Sequence, residues 1–401
     1  MDCFRIASRT FGTALVLGAV HVGAPPSAAA AGADFVPGET QVSTRIDLFD
    51  NEFNQSRNKY TWVDALGNLW VSNVDPKTGD FKPASGKGVL VDPDAENSGD
   101  LKLIGNGPEW LPAAGPNRIV YTKFVAGKPH TLDNARLAMA TQDSQTGKWS
   151  YGFLDNLPRY RVYASTDPGD PKPRISYLDP AGNAYWRYVD VPSSESIVPW
   201  MAGSRTLAMR FASGEYAAVF LSDISGVTQV VRLWLDTQRL EQLTFDDNHD
   251  KTTSPFIWKA PEFGNDDVMV TTAEQATEVR VYRQLDKSNP AWSVVFRAAG
   301  PVPGSKFSSV EPFVFNGKSY VFMSAVVPPN NFASTIYVMN IDAASPMIRQ
   351  VSPDAPVRTR TDPEVYVTST GPQIYYYRAD RTTTPPCPCY DGMFRADTGL
   401  R

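Results

Sequence analysis

Two short motifs recur at spacings that few folds can accommodate. Residues 64–75 and 179–190 share the frame D-x-x-G-N-x-x-x-x-x-V-D. A second motif opens a different kind of strand: Gly107-Pro108-Glu109-Trp110, Ser254-Pro255-Phe256-Ile257-Trp258, Glu311-Pro312-Phe313-Val314 and Asp362-Pro363-Glu364-Val365-Tyr366. Its prolines lie 147, 57 and 51 residues apart, and the long gap divides into three of about 49, which places degenerate openings near Arg161-Val162-Tyr163 and Arg205-Thr206-Leu207. A unit of about fifty residues and four strands cannot cover both of its own faces, but neighbours packed face to face can. The expectation is all-β: a single β-propeller of four-stranded blades, six favoured with five or seven allowed, closed by strands from the N-terminal segment. The candidates for those closing strands are 69–75 and 87–92. Two stacked sandwiches are the alternative.

Strand chemistry agrees. Runs rich in β-branched and aromatic residues, bounded by Gly, Pro, Asn or Asp, cover 118–124, 216–221, 230–236, 319–326, 335–342 and 373–379. Residues 278–283 alternate polar and apolar, as a strand with one buried face would. Asn316-Gly317 separates two such runs and predicts a type I′ hairpin. Gly67-Asn68 and Gly182-Asn183 predict turns of similar use. No amphipathic helix is expected beyond the first thirty residues, and no linker divides 44–384.

A resemblance follows from these residues. Glu241-Gln242-Leu243-Thr244-Phe245-Asp246-Asp247 followed by Ser254-Pro255-Phe256-Ile257-Trp258 resembles the TolB-like (PD40, WD40-like) propeller repeat. There an outer strand carrying QLT runs through a polar loop to an inner strand of the form DPxWSPDG. Gly107-Pro108-Glu109-Trp110-Leu111-Pro112 resembles the same inner strand, although the SPDG turn is missing. The resemblance implies blade architecture and, as one reading of function, a non-enzymatic protein-interaction platform. A weaker likeness joins 69–75 with Thr78-Gly79, and 311–315, to exported propeller glycosidases and lyases; it implies a substrate class at most.

Residues 1–30 read as a secretory signal peptide. Arg5 and Arg9 precede an apolar run of about a dozen residues, too short for the roughly 20 of a spanning helix, and Ala28-Ala29-Ala30 suits cleavage after Ala30. The expected product is secreted or periplasmic, with a 31–43 extension, a 44–384 propeller and a 385–401 tail. The formal charge of −5 on the whole chain gives no basic field for nucleic acid, and no later stretch would span a membrane. A monomer is expected. Cys387 and Cys389 are the cysteines left after cleavage. As a disulfide candidate they would close a very small ring; two metal-bound thiolates, or contacts to another chain, are the other readings.

Chemistry is expected where inner strands open onto a central channel. Glu109, Glu311 and Glu364 are the catalytic candidates, because two carboxylates facing a sugar can run general acid and base catalysis. Arg205, Asp362, Trp110, Trp200 and Trp258 are the ligand-binding candidates. Set against this, a repeated Pro-Glu at a blade start can simply bond the neighbouring backbone, and tryptophans between blades are usually core. The ligand expected is a glycan or small polar molecule, or else a protein. His130 and His249 are too few for a three-histidine zinc site, and His249 is expected in a solvated turn. The oxygen-rich 246–250 run could hold calcium but lacks the glycine and distal glutamate of an EF-hand. No other cofactor is expected, since no phosphate-binding glycine loop and no G-x-S-x-G occurs.

Overall fold

The computed structural model describes residues 35–95, 105–111, 115–165, 172–198, 209–212, 215–245, 249–250, 254–329, 332–381 and 389–401. The signal-peptide reading, Trp200, Arg205 and Cys387 therefore fall outside the described residues. Within them the chain folds into seven antiparallel sheets, and its other regular elements are three 3-10 turns. Six sheets have four strands. The first has a fifth because its outer strand is broken into Phe81–Lys82 and Val89–Asp92, which pair with different parts of Leu69–Val74.

The inner strands are Phe49–Asn54, Glu109–Leu111, Tyr160–Ala164, Arg210–Phe211, Phe256–Ala260, Lys306–Phe315 and Thr359–Thr368. We number the blades 1 to 7 in that order. The inner strand of blade 1 adjoins those of both blade 2 and blade 7, which makes the arrangement a ring.

Seven blades replace the six favoured from sequence. The unexpected one is blade 1, whose inner strand carries no proline to announce it. Strands 69–75 and 87–92, expected to close the last blade, belong instead to blade 1. The outermost strand of blade 7 is Thr40–Ser43, which pairs with Cys389–Asp397. The extension and the tail thus each supply a strand to that sheet.

Apolar clusters lie in the seams between blades. Val63, Leu69 and Val71 of blade 1 pack on Trp110, Ile119 and Tyr121 of blade 2. Tyr60, Trp62 and Phe81 of blade 1 pack on Tyr366, Tyr375 and Tyr377 of blade 7. Two-sided burial explains why Glu278–Arg283 departs from the one-faced strand expected. Val279, Arg280, Val281 and Tyr282 are all buried, and Arg280 is carried by ion pairs to Glu274 and Glu278.

The turns follow their chemistry. Asn316 and Gly317 both have positive φ, 50° and 71°, and close the hairpin between Phe315 and Lys318. The D-x-x-G-N repeat is a side-chain-capped turn. Asp64 accepts the backbone N–H groups of Leu66 and Asn68 and the indole N–H of Trp70. Asp179 does the same for the backbone N–H of Asn183 and the hydroxyl of Tyr185.

One buried charge fastens the N-terminal strand. Glu39, 7% exposed at its side chain, pairs with Arg360 and Arg378 and accepts the Tyr376 hydroxyl. Burial works against its charge, but the Arg360 guanidinium, with Tyr376 and Arg378, outweighs it and holds the carboxyl below its ordinary 4.5. Its stabilising contribution is therefore present above pH 4.5 and is lost as pH falls through the lower folded value. Glu39→Gln should cost about 3 kcal/mol at pH 7 by leaving Arg360 uncompensated. The variant should also lose part of the wild-type acid sensitivity, which thermal unfolding at pH 7 and pH 3.5 would show. Equal melting temperatures at pH 7 would refute this role.

Candidate functional site: an acidic central channel

In blades 1, 3, 6 and 7 the inner strand opens with the same distortion. Register slips between Phe49 and Glu52, Tyr160 and Tyr163, Ser308 and Glu311, and Thr361 and Glu364. Within each bulge one residue takes a left-handed conformation: Asp50 (φ 47°), Arg161 (55°), Ser309 (48°) and Asp362 (56°). Such bulges re-aim side chains at the ends of strands. The residue two positions on is Glu52, Tyr163, Glu311 or Glu364, and the inner strands of blades 2, 4 and 5 begin with Glu109, Arg210 and Phe256, which complete a ring of seven.

These residues form one electrostatic cluster. Glu52 feels Glu109, Glu311, Asp50 and Asp362, while Glu364 feels Glu52, Glu311, Asp362 and Glu109. Burial, then this mutual repulsion, pushes Asp50, Glu52 and Glu364 well above the usual carboxylate range. Glu311 is raised by burial, and by Asp362 and Glu109 against the pull of Arg210, to about 7. Burial raises Asp362 to about 6 even though it accepts the backbone N–H of Asn51. Glu109 is raised by burial but eased by Arg210, by the Asn106 amide at 3.0 Å and by the Ala164 backbone N–H. Arg210 lies over the Phe256 ring, 4.2 Å from its centroid, and 5.2 Å from that of Tyr163.

A cavity of about 280 Å³ opens above this ring, lined by Asp50, Gly105, Asn106, Thr361, Asp362, Tyr377 and Tyr390. Two glycines let the blade 1–2 connection approach so closely. A Cβ on Gly107 would stand 2.2 Å from Asp50 Oδ2, and one on Gly105 would stand 1.9 Å from Arg161 Nη2.

Of the residues singled out from sequence, Glu109, Glu311, Asp362 and Glu364 are brought together here. Glu109 is also bonded to the backbone of blade 3, so it serves the seam as well as the channel. Trp110 and Trp258 are buried between blades, with indole N–H groups donated to the Glu52 carbonyl at 3.0 Å and the Ser319 hydroxyl at 2.9 Å. In blade 4 the residue in the ring is Arg210, five positions beyond the opening expected at Arg205. Asp50, Glu52 and Arg210 were not singled out, and Tyr163 was named only as part of a strand opening. A usable signal existed for two of them: Asp50-Asn51-Glu52 repeats the D-x-E spacing of Asp362-Pro363-Glu364.

His249 departs from the solvated turn expected. It is 3% exposed, its Nε2 is 3.1 Å from the Thr244 hydroxyl, and burial lowers its pKa to about 4. His130 is exposed and stacks on Phe124 at 4.4 Å. Among the described residues no group of three or more His, Cys, Asp or Glu is placed to hold a metal ion. Asp246 and Asp247 of the calcium reading lie outside them. Cys389 begins a strand of blade 7.

No family model matches the chain, and no curated protein matches it. Among solved structures, the chain is similar to the β-propeller domain of Cps50 (Swd1) from Myceliophteria thermophila. Identity is 11% and the TM-score 0.53, over 91% of this chain and 100% of that one. An ancestral GH74 enzyme gives 13% identity and a TM-score of 0.51, over 88% of this chain and 48% of that one. TolB from Acinetobacter baumannii gives 14% identity over 84% of this chain and 78% of that one. Its TM-score of 0.40 carries no argument for a TolB subtype. The chain is a β-propeller. At these identities the likeness shows the fold alone.

Two substitutions test the site. Glu311 has a folded pKa raised from 4.5 to about 7, so the stability tied to its protonation is present below pH 4.5 and lost as pH rises towards 7. Glu311→Gln should be more stable than wild type at pH 8, by about 3 kcal/mol, and indistinguishable from it at pH 4.5. Equal stability at pH 8 would contradict the electrostatics described.

Asn51 is 1% exposed and neither polar atom of its amide has a partner. Other blades place Pro108, Val162, Met209, Pro255, Val310 or Pro363 at this level. An unsatisfied buried amide costs about 1–3 kcal/mol, so Asn51→Val should raise the melting temperature; a decrease would show that the amide is satisfied.

Proposed function

We propose that the mature protein works outside the cytoplasm, secreted or periplasmic, and recognises a glycan or similarly polar small ligand through the mouth of its channel. One observation carries the reading: six carboxyl groups from four blades form one electrostatic cluster, and two of them, Asp50 and Asp362, line an open cavity of about 280 Å³. That volume lies near the lower end of ligand pockets, about 300–1,000 Å³. Burial and mutual repulsion raise these carboxyls by different amounts, Asp362 to about 6 and Glu311 to about 7, so that protonated donors and ionised acceptors stand side by side. A polyol needs both. Tyr390 adds a part-exposed ring at the rim. Cleavage would use Glu311 as the protonated acid, and Glu109, which Arg210 and two hydrogen bonds favour as the anion, as its partner.

The other reading is a protein-interaction platform whose channel holds no ligand. Glu109 bonded to the backbone of blade 3 favours it. Residues 31–401, purified, should bind members of a glycan array, and Asp362→Asn should weaken that binding about tenfold. Release of reducing sugar from a bound glycan, lost in Glu311→Gln, would show cleavage. No binding and no release would remove the carbohydrate reading and leave the platform.

A further inference from the structure

The channel is polarised from one wall to the other. In a ring of seven, blade 4 stands across the axis from blades 7 and 1. Blades 7 and 1 contribute Asp362, Glu364, Asp50 and Glu52. Blades 3 and 4 contribute Arg161 and Arg210, and blade 5 adds Phe256. The polarity holds at two levels. Arg161 occupies the same bulge position as Asp50 and Asp362, and Arg210 the same ring position as Glu52 and Glu364. Glu109 and Glu311 stand between the two walls.

Arg210 acts on Glu109 and Glu311 through its charge. Its guanidinium is braced on the Phe256 ring, and its Nε is closed off from solvent yet has no hydrogen-bond partner. A guanidinium fixed in this way presents a fork that suits a carboxylate.

We infer that the ligand of this channel is zwitterionic, with its acid group on Arg210 and its ammonium towards Asp50, Glu52, Asp362 and Glu364. This rests on the reading of the channel mouth as a binding site and deepens it. A simple anion would meet Arg210 but also six carboxyl groups. A simple cation would leave the Arg210 fork empty and face its charge. A neutral sugar makes no use of the separation of charge. An ammonium among the carboxyls also relieves their mutual repulsion and lowers their proton affinity, so binding at pH 7 releases protons.

Calorimetry on residues 31–401 with five probes tests this: glucose, glucosamine, glucuronic acid, muramic acid and γ-aminobutyrate. Muramic acid, a sugar with both charges, should bind at least tenfold more tightly than glucosamine or glucuronic acid. Its apparent enthalpy should differ between phosphate and Tris buffers at pH 7 in the sense of proton release. Arg210→Met should abolish the tenfold preference, and Arg210→Lys, which keeps the charge but loses the fork, should reduce it. Melting temperatures would confirm that both variants are folded; if the methionine variant is not, the lysine variant carries the test.

Glucose or glucosamine binding as tightly as muramic acid would overturn the inference while leaving sugar recognition standing. Tight binding of γ-aminobutyrate with no preference for the sugar would uphold the inference and overturn the carbohydrate reading. Binding of none of the five would overturn both. A preference unchanged in the arginine variants would also overturn the inference.

Discussion

A four-stranded sheet with apolar side chains on both faces sheds water only when it stands between two others. That requirement organises the whole molecule. The hydrophobic clusters straddle neighbouring blades: Phe307 and Met323 of blade 6 pack on Val268 and Val281 of blade 5, and Phe313 and Val338 of blade 6 pack on Ile374 and Phe394 of blade 7. No blade owns its core, so the sheets are stable only as a set. Polar groups caught in the seams must then be paired, as Lys123 is with Asp92 at 2.7 Å and Glu39 is with Arg360 at 3.0 Å.

The same requirement explains what could and could not be read from the chain. Local turn chemistry was legible, because Asn316-Gly317 and Asp64-x-x-Gly67-Asn68 act through their own backbone. Strand 118–124 was legible to the residue, and so was strand 278–283. The alternation in 278–283 was misleading about exposure, because a neighbouring blade covers the polar side as well. Blade number was harder. The proline that marks blades 2, 5 and 7 precedes the ring residue, but in blade 6 Pro312 follows it, and blades 1, 3 and 4 have none at the opening. Proline fits these bulges without being required by them, so counting prolines undercounts blades.

Of the channel, the acidic members that proline flags were visible from sequence. The others were hidden because their roles come from position in the ring. Arg210 and Tyr163 look like ordinary strand residues until blades 3 and 4 are set across from blades 7 and 1. The tryptophans illustrate the converse. Trp110 and Trp258 stand beside strand openings, yet both are buried in the seams, where their indole N–H groups find acceptors. In blades 1, 3, 6 and 7 a bulge breaks the pairing of the strand just before the ring residue, so the charge brought there by Glu52, Glu311 and Glu364 goes with the backbone distortion.

The central claim is that acids from the strand openings of four blades form one coupled set. Carboxyl carbon-13 chemical shifts of the protein labelled at aspartate and glutamate side chains, followed from pH 3 to pH 9, measure it directly. The account predicts several channel carboxyls titrating between about 6 and 7 or higher, with curves broadened by mutual interaction. If every labelled carboxyl titrates as an independent group between about 3 and 5, the acids do not share a channel and the site described does not exist.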